Sequence, residues 1–300
     1  GELYEHIGEY SNSMYFYDEA EGSAIAANDQ KLLIDIFIKK FSLSYKIDDK
    51  KSAIEYAVKA KRLLKDVSYP EGLYELVICL NDIMSNKRKY SSYIKILRNV
   101  INTIDVKRYE CFYARVLVTY GRVICNKNKY TEGLSELMRG MAILERLSEY
   151  KYMPNVLNSI GYVYSEYYND MEKAREYYEK CLSVSQKLND LSSMERSYNN
   201  IAEIYRIEDR YSEAIEYYNK GLQVVNVSRN MVIKALLNIN LIIASVGMED
   251  LKKAALYIDT SEELLSNLKD SGNLMQFFYQ YKAEFLYAMG EYERAAEYAQ

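Results

Sequence analysis

The sequence repeats a unit of about 40 residues, and this period constrains the fold more than any other feature. Two consecutive stretches, 157–190 and 198–225, read LNSIGYVYSEYYNDMEKAREYYEKCLSVSQKLND and YNNIAEIYRIEDRYSEAIEYYNKGLQVV. In the first half of each copy, large apolar residues and one small residue recur at i, i+3, i+4 and i+7, which indicates one face of an α-helix. The second half supplies another small residue, Ala174 or Ala214. Because small residues that face each other allow close packing, each unit is predicted to be an antiparallel helix pair.

The small residue of the second helix can be followed along the whole chain. This position is occupied by Ser13, Ala53, Tyr93, Gly133, Ala174, Ala214, Ala254 and Ala295, always 40 or 41 residues from the next, and it is small in every copy except Tyr93. A single helix pair cannot bury all of its apolar surface, so units of this kind stack on their neighbours. We therefore predict one all-α superhelix of about seven complete helix pairs with partial terminal repeats. The predicted repeats are 1–29, 30–69, 70–108, 109–150, 151–190, 191–229, 230–270 and 271–300.

Composition limits the kinds of partner. The formal net charge of −4 gives no overall positive field, which disfavours direct binding of nucleic acid. The four cysteines form no CxxC pair, so reduced thiols in a cytoplasmic protein are expected. No apolar run is long enough to span a bilayer, so no membrane partner is predicted.

The sequence offers little for catalysis. His6 is its only histidine, which excludes a Ser/His/Asp or Cys/His arrangement elsewhere and a cluster of several histidines on a metal. No glycine-rich loop of the phosphate-binding kind is present. We therefore expect a protein that is not an enzyme and that needs neither a metal nor a cofactor.

The order of large, small and aromatic positions in 157–181, 198–221 and 279–295 resembles the tetratricopeptide repeat family. The standard unit of that family has about 34 residues, so the longer period here implies longer helices. An array of HEAT repeats also has a period near 40 residues but lacks these turn residues. The resemblance is to the long variants found in bacterial peptide-pheromone receptors and signalling proteins. Both ends of the sequence fall within a repeat, so we expect it to be part of a longer protein.

The resemblance implies that the first helices line a concave groove that binds a peptide or an extended protein segment. The residues expected to face this groove form a second stripe beside the packing stripe. Thr119, Asn155 and Glu284 lie on this second stripe as well. The predicted peptide-binding residues are Arg115, Arg122, Asn158, Tyr162, Glu166, Arg196, Asn199, Glu203, Arg206, Lys234, Asn238 and Gln280.

Asn158, Asn199 and Asn238 are expected to form a column, one to each repeat. An asparagine amide offers a hydrogen-bond acceptor and two donors, so a column of amides can bind a peptide main chain whatever its side chains. Arginines beside the column could bind a carboxylate or the C-terminus of the peptide. The alternative is that these amides brace neighbouring helices.

The leading hypothesis is a peptide-binding sensor or interaction segment of a cytoplasmic bacterial regulator, for example a regulator of transcription. One alternative is a scaffold or dimerisation domain, including a homodimer, fused to a nucleotide cyclase or kinase. The other alternative is a phosphatase-type regulator of response regulators, as in the pheromone-receptor group. That group carries an N-terminal helical bundle, and the present residues contain none.

Overall fold

The computed structural model describes residues 1, 4, 9–47, 49–83, 90–268 and 272–298. His6 lies outside the described residues. The described residues form fifteen α-helices, one short 3-10 helix at Tyr150–Tyr152 and no strand. The prediction of an all-α fold built from successive helix pairs is confirmed.

The helices alternate as the repeat predicts. Even-numbered helices are the first helices of a pair and odd-numbered helices are the second helices. Their bounds are α1 Tyr10–Ala26, α2 Gln30–Lys46, α3 Lys50–Asp66, α4 Pro70–Ile83, α5 Tyr90–Thr103, α6 Glu110–Cys125, α7 Tyr130–Arg146, α8 Met153–Tyr168, α9 Met171–Leu188, α10 Leu191–Ile207, α11 Tyr211–Ser228, α12 Met231–Gly247, α13 Leu251–Ser266, α14 Gly272–Ala288 and α15 Tyr292–Tyr298.

The helices group into two compact units, 1–143 and 144–300, and the division falls within α7. In unit 1, α2 packs against α1, α3 and α4, while α5 packs against α4 and α6. In unit 2, each helix from α8 to α14 packs against the next, and α12 also packs against α14. Pairing of neighbours in sequence is what a repeat array requires.

Most helices end at a residue with a positive φ angle. Such a residue stops the helix and lets the freed carbonyl groups bond to later amides, and asparagine and aspartate tolerate this conformation better than most residues. First helices are followed by Asn128, Asn169, Asp209, Glu249 and Gly290, and second helices by Asn28, Ser148, Asn189 and Arg229. Consecutive members of the first set are 40 or 41 residues apart, and so are Ser148, Asn189 and Arg229 in the second set, while Asn28 precedes Ser148 by 120 residues, or three periods. This spacing indicates that the turns fix the period.

Helix starts are equally regular. An aspartate before the helix accepts a hydrogen bond from the amide three residues later, at 3.0–3.1 Å, which satisfies one of the free N–H groups of the first turn. These N-caps are Asp29, Asp49, Asp170, Asp190 and Asp250. Asn230 caps α12 in the same way.

The small residues of each pair allow the close approach that the sequence predicts. A Cβ atom added to Gly121 of α6 would lie 2.7 Å from the carbonyl oxygen of Gly133 in α7. In unit 2, a Cβ atom added to Gly161 would lie 2.7 Å from the ring of Tyr178. Both distances are shorter than van der Waals contact, so glycine is required for the present packing.

Candidate functional site

Four asparagines link the first helices of three successive repeats in unit 2. The side-chain amide of Asn240 in α12 donates to Oδ1 of Asn199 in α10 at 3.0 Å, and that of Asn199 donates to Oδ1 of Asn200 at 3.3 Å. The amide of Asn200 then donates to Oδ1 of Asn158 in α8 at 2.8 Å. We call these four residues the asparagine ladder. The surface of α8, α10 and α12 that carries it is the ladder face.

Asn238 does not belong to the ladder, which corrects the predicted column. Its side chain is only 4% exposed, and its amide donates to the carbonyl oxygen of Lys234 in its own helix at 2.8 Å. The N-caps Asp190 and Asn230 are 40 residues apart, so Asn238 corresponds to Tyr198 and Asn240 corresponds to Asn200. Two residues turn a helix by about 200°, and Asn238 therefore occupies another face of α12.

Tyr198 shows which face Asn238 occupies. Its ring centroid lies 6.3 Å from that of Tyr217 in the second helix α11. This face packs against second helices and is closed to a ligand on the ladder face. The distance between the two N-caps is the sequence signal that aligns Asn240 with Asn200.

Arg196 lies one turn before Asn199 and Asn200 on α10. Its Nη2 donates to Oδ1 of Asn155 at 3.3 Å and to Oγ of Ser193 at 3.1 Å. Its Nε is buried and has no hydrogen-bond partner among the described residues. Arg196 is therefore held beside the ladder by neutral groups.

Glu203 and Arg206 lie further along α10 and neutralise each other. The Nη2 of Arg206 is 2.9 Å from Oε2 of Glu203, and the hydroxyl of Tyr218 donates to the other carboxylate oxygen. Burial lowers the pKa of Arg206, but the hydrogen bonds and charge of Glu203 raise it by more, so it lies above its ordinary value. Burial and the charge of Glu203 also hold the pKa of Tyr218 well above its ordinary value. These predicted binding residues are engaged within the protein.

The other predicted residues of unit 2 lie on α8, α12 and α14. Tyr162 is 45% exposed and Glu166 is also exposed, both on α8, while Lys234 is half-buried on α12. On α14, the amide of Gln280 donates to Glu284 at 3.4 Å. Gln280 and Glu284 line an open hollow of ≈ 670 Å³.

The predicted residues of unit 1 lie on α6. Arg115 Nη2 is 3.1 Å from Oε1 of Glu75 in α4, and Thr119 shares a hydrogen bond of 2.9 Å with the hydroxyl of Tyr74. Arg122 is exposed. Arg115 and Thr119 therefore bridge α4 and α6 through an ion pair and a hydroxyl group, and no asparagine ladder forms among the described residues of unit 1.

A second hollow, which lies in unit 1, was missed by the sequence analysis. It measures ≈ 540 Å³ and is lined by Asp35, Ile38, Lys39, Ser42, Lys46, Glu75 and Cys79. The hydroxyl of Tyr69 donates to both carboxylate oxygens of Asp35, at 2.9 and 3.0 Å. Burial raises the pKa of Asp35, the bond from Tyr69 lowers it, and the charge of Glu75 raises it, so that it lies above its ordinary value.

The described residues contain no group of histidine, cysteine, aspartate and glutamate side chains arranged to hold a metal ion. None of the described helices combines the length and apolar character needed to cross a bilayer. What the ladder face offers is a row of amides beside an arginine, which is suited to hydrogen bonding.

The family model "Tetratricopeptide repeat" matches residues 154–188 and 195–224. These residues contain α9, nearly all of α8, and most of α10 and α11. The matched part therefore includes three of the four ladder asparagines. A comparison with curated protein sequences finds no match.

Several solved structures share the fold. A signal transduction ATPase with numerous domains from Pyrococcus horikoshii, which has a tetratricopeptide repeat sensor, is 14% identical with a TM-score of 0.70; the match covers 97% of this chain and 45% of that chain. Aspartyl phosphate phosphatase F from Bacillus subtilis is 16% identical with a TM-score of 0.65, covering 91% and 71%. NprR in complex with its cognate peptide NprX is 15% identical with a TM-score of 0.58, covering 88% and 76%.

Both kinds of comparison identify the same architecture. The sequence model marks the two central repeats, and the structural matches extend the fold over most of the chain. The chain therefore contains tetratricopeptide repeats at 154–188 and 195–224, and it shares the fold of these solved structures over most of its length.

Proposed function

We propose that the ladder face of unit 2 binds the main chain of an extended peptide or protein segment. The observation that carries this proposal is the asparagine ladder from α8 to α12. Each amide that donates within the ladder uses one N–H and keeps a second, and each carbonyl oxygen can accept more than one hydrogen bond. The ladder therefore positions unused donors and acceptors at intervals of one repeat.

Burial distinguishes this role from simple bracing. Asn158, Asn199 and Asn200 are half-buried, and their neighbours Asn155 and Tyr162 are exposed. A purely structural amide network is usually enclosed, because water or ligand would otherwise compete for its bonds. Asn240 is only 5% exposed and serves as the enclosed end of the ladder.

The role we infer is that of a sensor or interaction segment in a cytoplasmic bacterial regulator of transcription or signalling. Two structural neighbours support it: the ATPase has a tetratricopeptide repeat sensor, and NprR was solved with its cognate peptide. A sensor requires two states with different affinity for the ligand. Binding without catalysis fits a face that offers amides and one arginine.

The proposal is tested with a randomised heptapeptide pool. Immobilised protein is used to enrich peptides, and individual enriched peptides are labelled and titrated by fluorescence anisotropy. The double variant Asn199→Ala/Asn200→Ala should bind them at least tenfold more weakly, because several hydrogen bonds of about 1 kcal/mol each are lost.

Asn219→Ala is the matched control, since Asn219 is exposed on the second helix α11. It should bind like the wild type, and circular dichroism should show that all variants keep their helix content. Failure to enrich any peptide, or equal affinity for the wild type and the double variant, would exclude peptide binding by the ladder.

A further inference from the structure

The outer face of α3 in unit 1 combines exposed aliphatic side chains with unpaired cations. Ile54 and Val58 are 64% and 59% exposed. Lys51, Lys61, Arg62 and Lys65 are exposed as well, and no carboxylate among the described residues lies within ion-pair distance of these four. Positions 51, 54, 58, 61, 62 and 65 fall within one side of an α-helix. We call these six residues the basic face of α3.

Three other second helices each pair a surface cation with an acid on the same helix. In α9 Lys180 pairs with Glu176, in α11 Lys220 pairs with Glu216, and in α7 Arg139 pairs with Glu136, at 2.6, 2.6 and 2.7 Å. Pairs three or four residues apart are the ordinary way in which an exposed helix balances its charge. On α3 two exposed acids, Glu55 and Asp66, stand beside the four cations of the basic face, so this side of the helix keeps a net positive charge.

The outer face of α13 in unit 2 has the opposite chemistry. Leu256 is 62% exposed, and Asp259, Glu262 and Glu263 are exposed beside it. Glu262 pairs with Lys282, whereas Asp259 and Glu263 have no ion-pair partner among the described residues. Positions 256, 259 and 263 lie on the same side of the helix. We call Leu256, Asp259, Glu262 and Glu263 together the acidic face of α13.

We propose that the basic face of α3 in one molecule binds the acidic face of α13 in a second copy of the chain. Ile54 and Val58 would pack against Leu256, and the cations and acids would flank this contact, an arrangement of apolar centre and charged rim common to protein interfaces. Lys51 and Lys65 are 14 positions apart, about 21 Å along the helix, so the face offers roughly four turns for the partner helix.

A contact between two different faces is heterologous. It leaves one α3 face and one α13 face free at the ends of a pair of molecules, unless the rotation between copies closes a ring. Association should therefore increase with concentration and decrease with salt, which screens exposed charges. An anionic membrane is the less favoured occupant, because helices that lie on membranes present Trp, Phe or Leu, and the basic face of α3 has only Ile54 and Val58.

The test measures weight-average mass by sedimentation velocity from 1 to 100 µM protein at low and high salt, concentrations in the range of weak surface contacts. The wild type should associate at low salt. Lys61→Glu/Arg62→Glu should weaken association at least tenfold, as should Asp259→Lys/Glu263→Lys. A chain with all four reversals should regain it, because the charges are again complementary. Lys107→Glu/Arg108→Glu, an exposed adjacent pair elsewhere in unit 1, is the matched control and should behave like the wild type.

Three results would overturn the proposal. The wild type could remain monomeric at all concentrations. Association could persist in both double variants or fail to return in the fourfold variant. Alternatively, the protein could bind vesicles containing phosphatidylserine, lose that binding through Lys61→Glu/Arg62→Glu, and show no self-association, which would make the occupant a membrane surface.

Discussion

The first helices of unit 1 and unit 2 carry different polar chemistry on corresponding faces. In unit 1, Arg115 pairs with Glu75 and Tyr69 donates to Asp35, so that ions and hydroxyl groups connect successive helices. In unit 2, neutral amides make these connections, and the family model matches this part of the chain. The backbone period is the same in both, which shows that the turns fix the fold while the first helices are free to vary in chemistry.

The difference extends to burial. In unit 2 the side chains of Glu203 and Arg206 are 26% and 24% exposed, and the buried hydroxyl of Tyr218 joins them. In unit 1 the side chain of Glu75 is 43% exposed. Charges near water are screened and contribute little to stability, whereas a partly buried carboxylate with two partners leaves both unsatisfied when it is removed.

The largest expected effect concerns the close helix contacts. Gly121→Ala in unit 1 should lower the free energy of unfolding by about 3 kcal/mol, because the new methyl group meets the backbone of Gly133, which cannot move aside. Gly161→Ala in unit 2 should cost about 1 kcal/mol, because it meets the ring of Tyr178, which can shift. Urea denaturation followed by circular dichroism compares the two. Equal costs would show that both contacts are equally rigid.

The charged pairs give the next largest effect. Glu203→Ala should lower the free energy of unfolding by about 2 kcal/mol, because Arg206 and Tyr218 lose their shared partner. Glu75→Ala should cost less than about 0.5 kcal/mol, since that pair is more exposed. The same denaturation experiment measures both. A cost for Glu75→Ala as large as that for Glu203→Ala would remove the distinction between the units.

The periodic turns made the fold predictable from sequence, and the ladder shows where prediction stopped. Asp190 and Asn230 fix the period, yet Asn238 stands two positions before Asn240, and two positions turn a helix by about 200°. Asn238 was therefore assigned to the wrong face, and Asn200 and Asn240 were missed. Which neighbours bond across repeats depends on the offset between adjacent helices, and a sequence pattern does not contain that offset.

Unit 1 was harder to predict for another reason. Asp35 and Lys39 lie on a helix whose charged residues look like an ordinary solvated surface. Only the fold brings Glu75 and Tyr69 beside Asp35. The pairing of Arg115 with Glu75 likewise joins residues 40 positions apart, and nothing in the sequence distinguishes Glu75 from Glu71 as the partner.

The smallest expected effect concerns the pH dependence of unit 1. Burial raises the pKa of Asp35 above its ordinary value of 3.8, although Tyr69 opposes the shift. The folded chain therefore holds this proton more tightly than the unfolded chain, and stability falls as the pH rises from about 4 through the folded pKa. Asp35→Asn should abolish that fall and gain about 0.5 kcal/mol or less at pH 7, given the partial exposure of the side chain.

Tyr69→Phe sharpens this test, because it removes the hydrogen bond that lowers the pKa of Asp35. Its loss of stability with rising pH should be larger than in the wild type and extend to a higher pH. In the double variant Asp35→Asn/Tyr69→Phe this pH dependence should disappear, since no titrating group remains at the position. Urea midpoints measured between pH 3.5 and 8, a range that spans ordinary carboxyl titration, provide the comparison. A fall of the same size in the wild type and in Asp35→Asn would assign the pH dependence to other carboxyl groups.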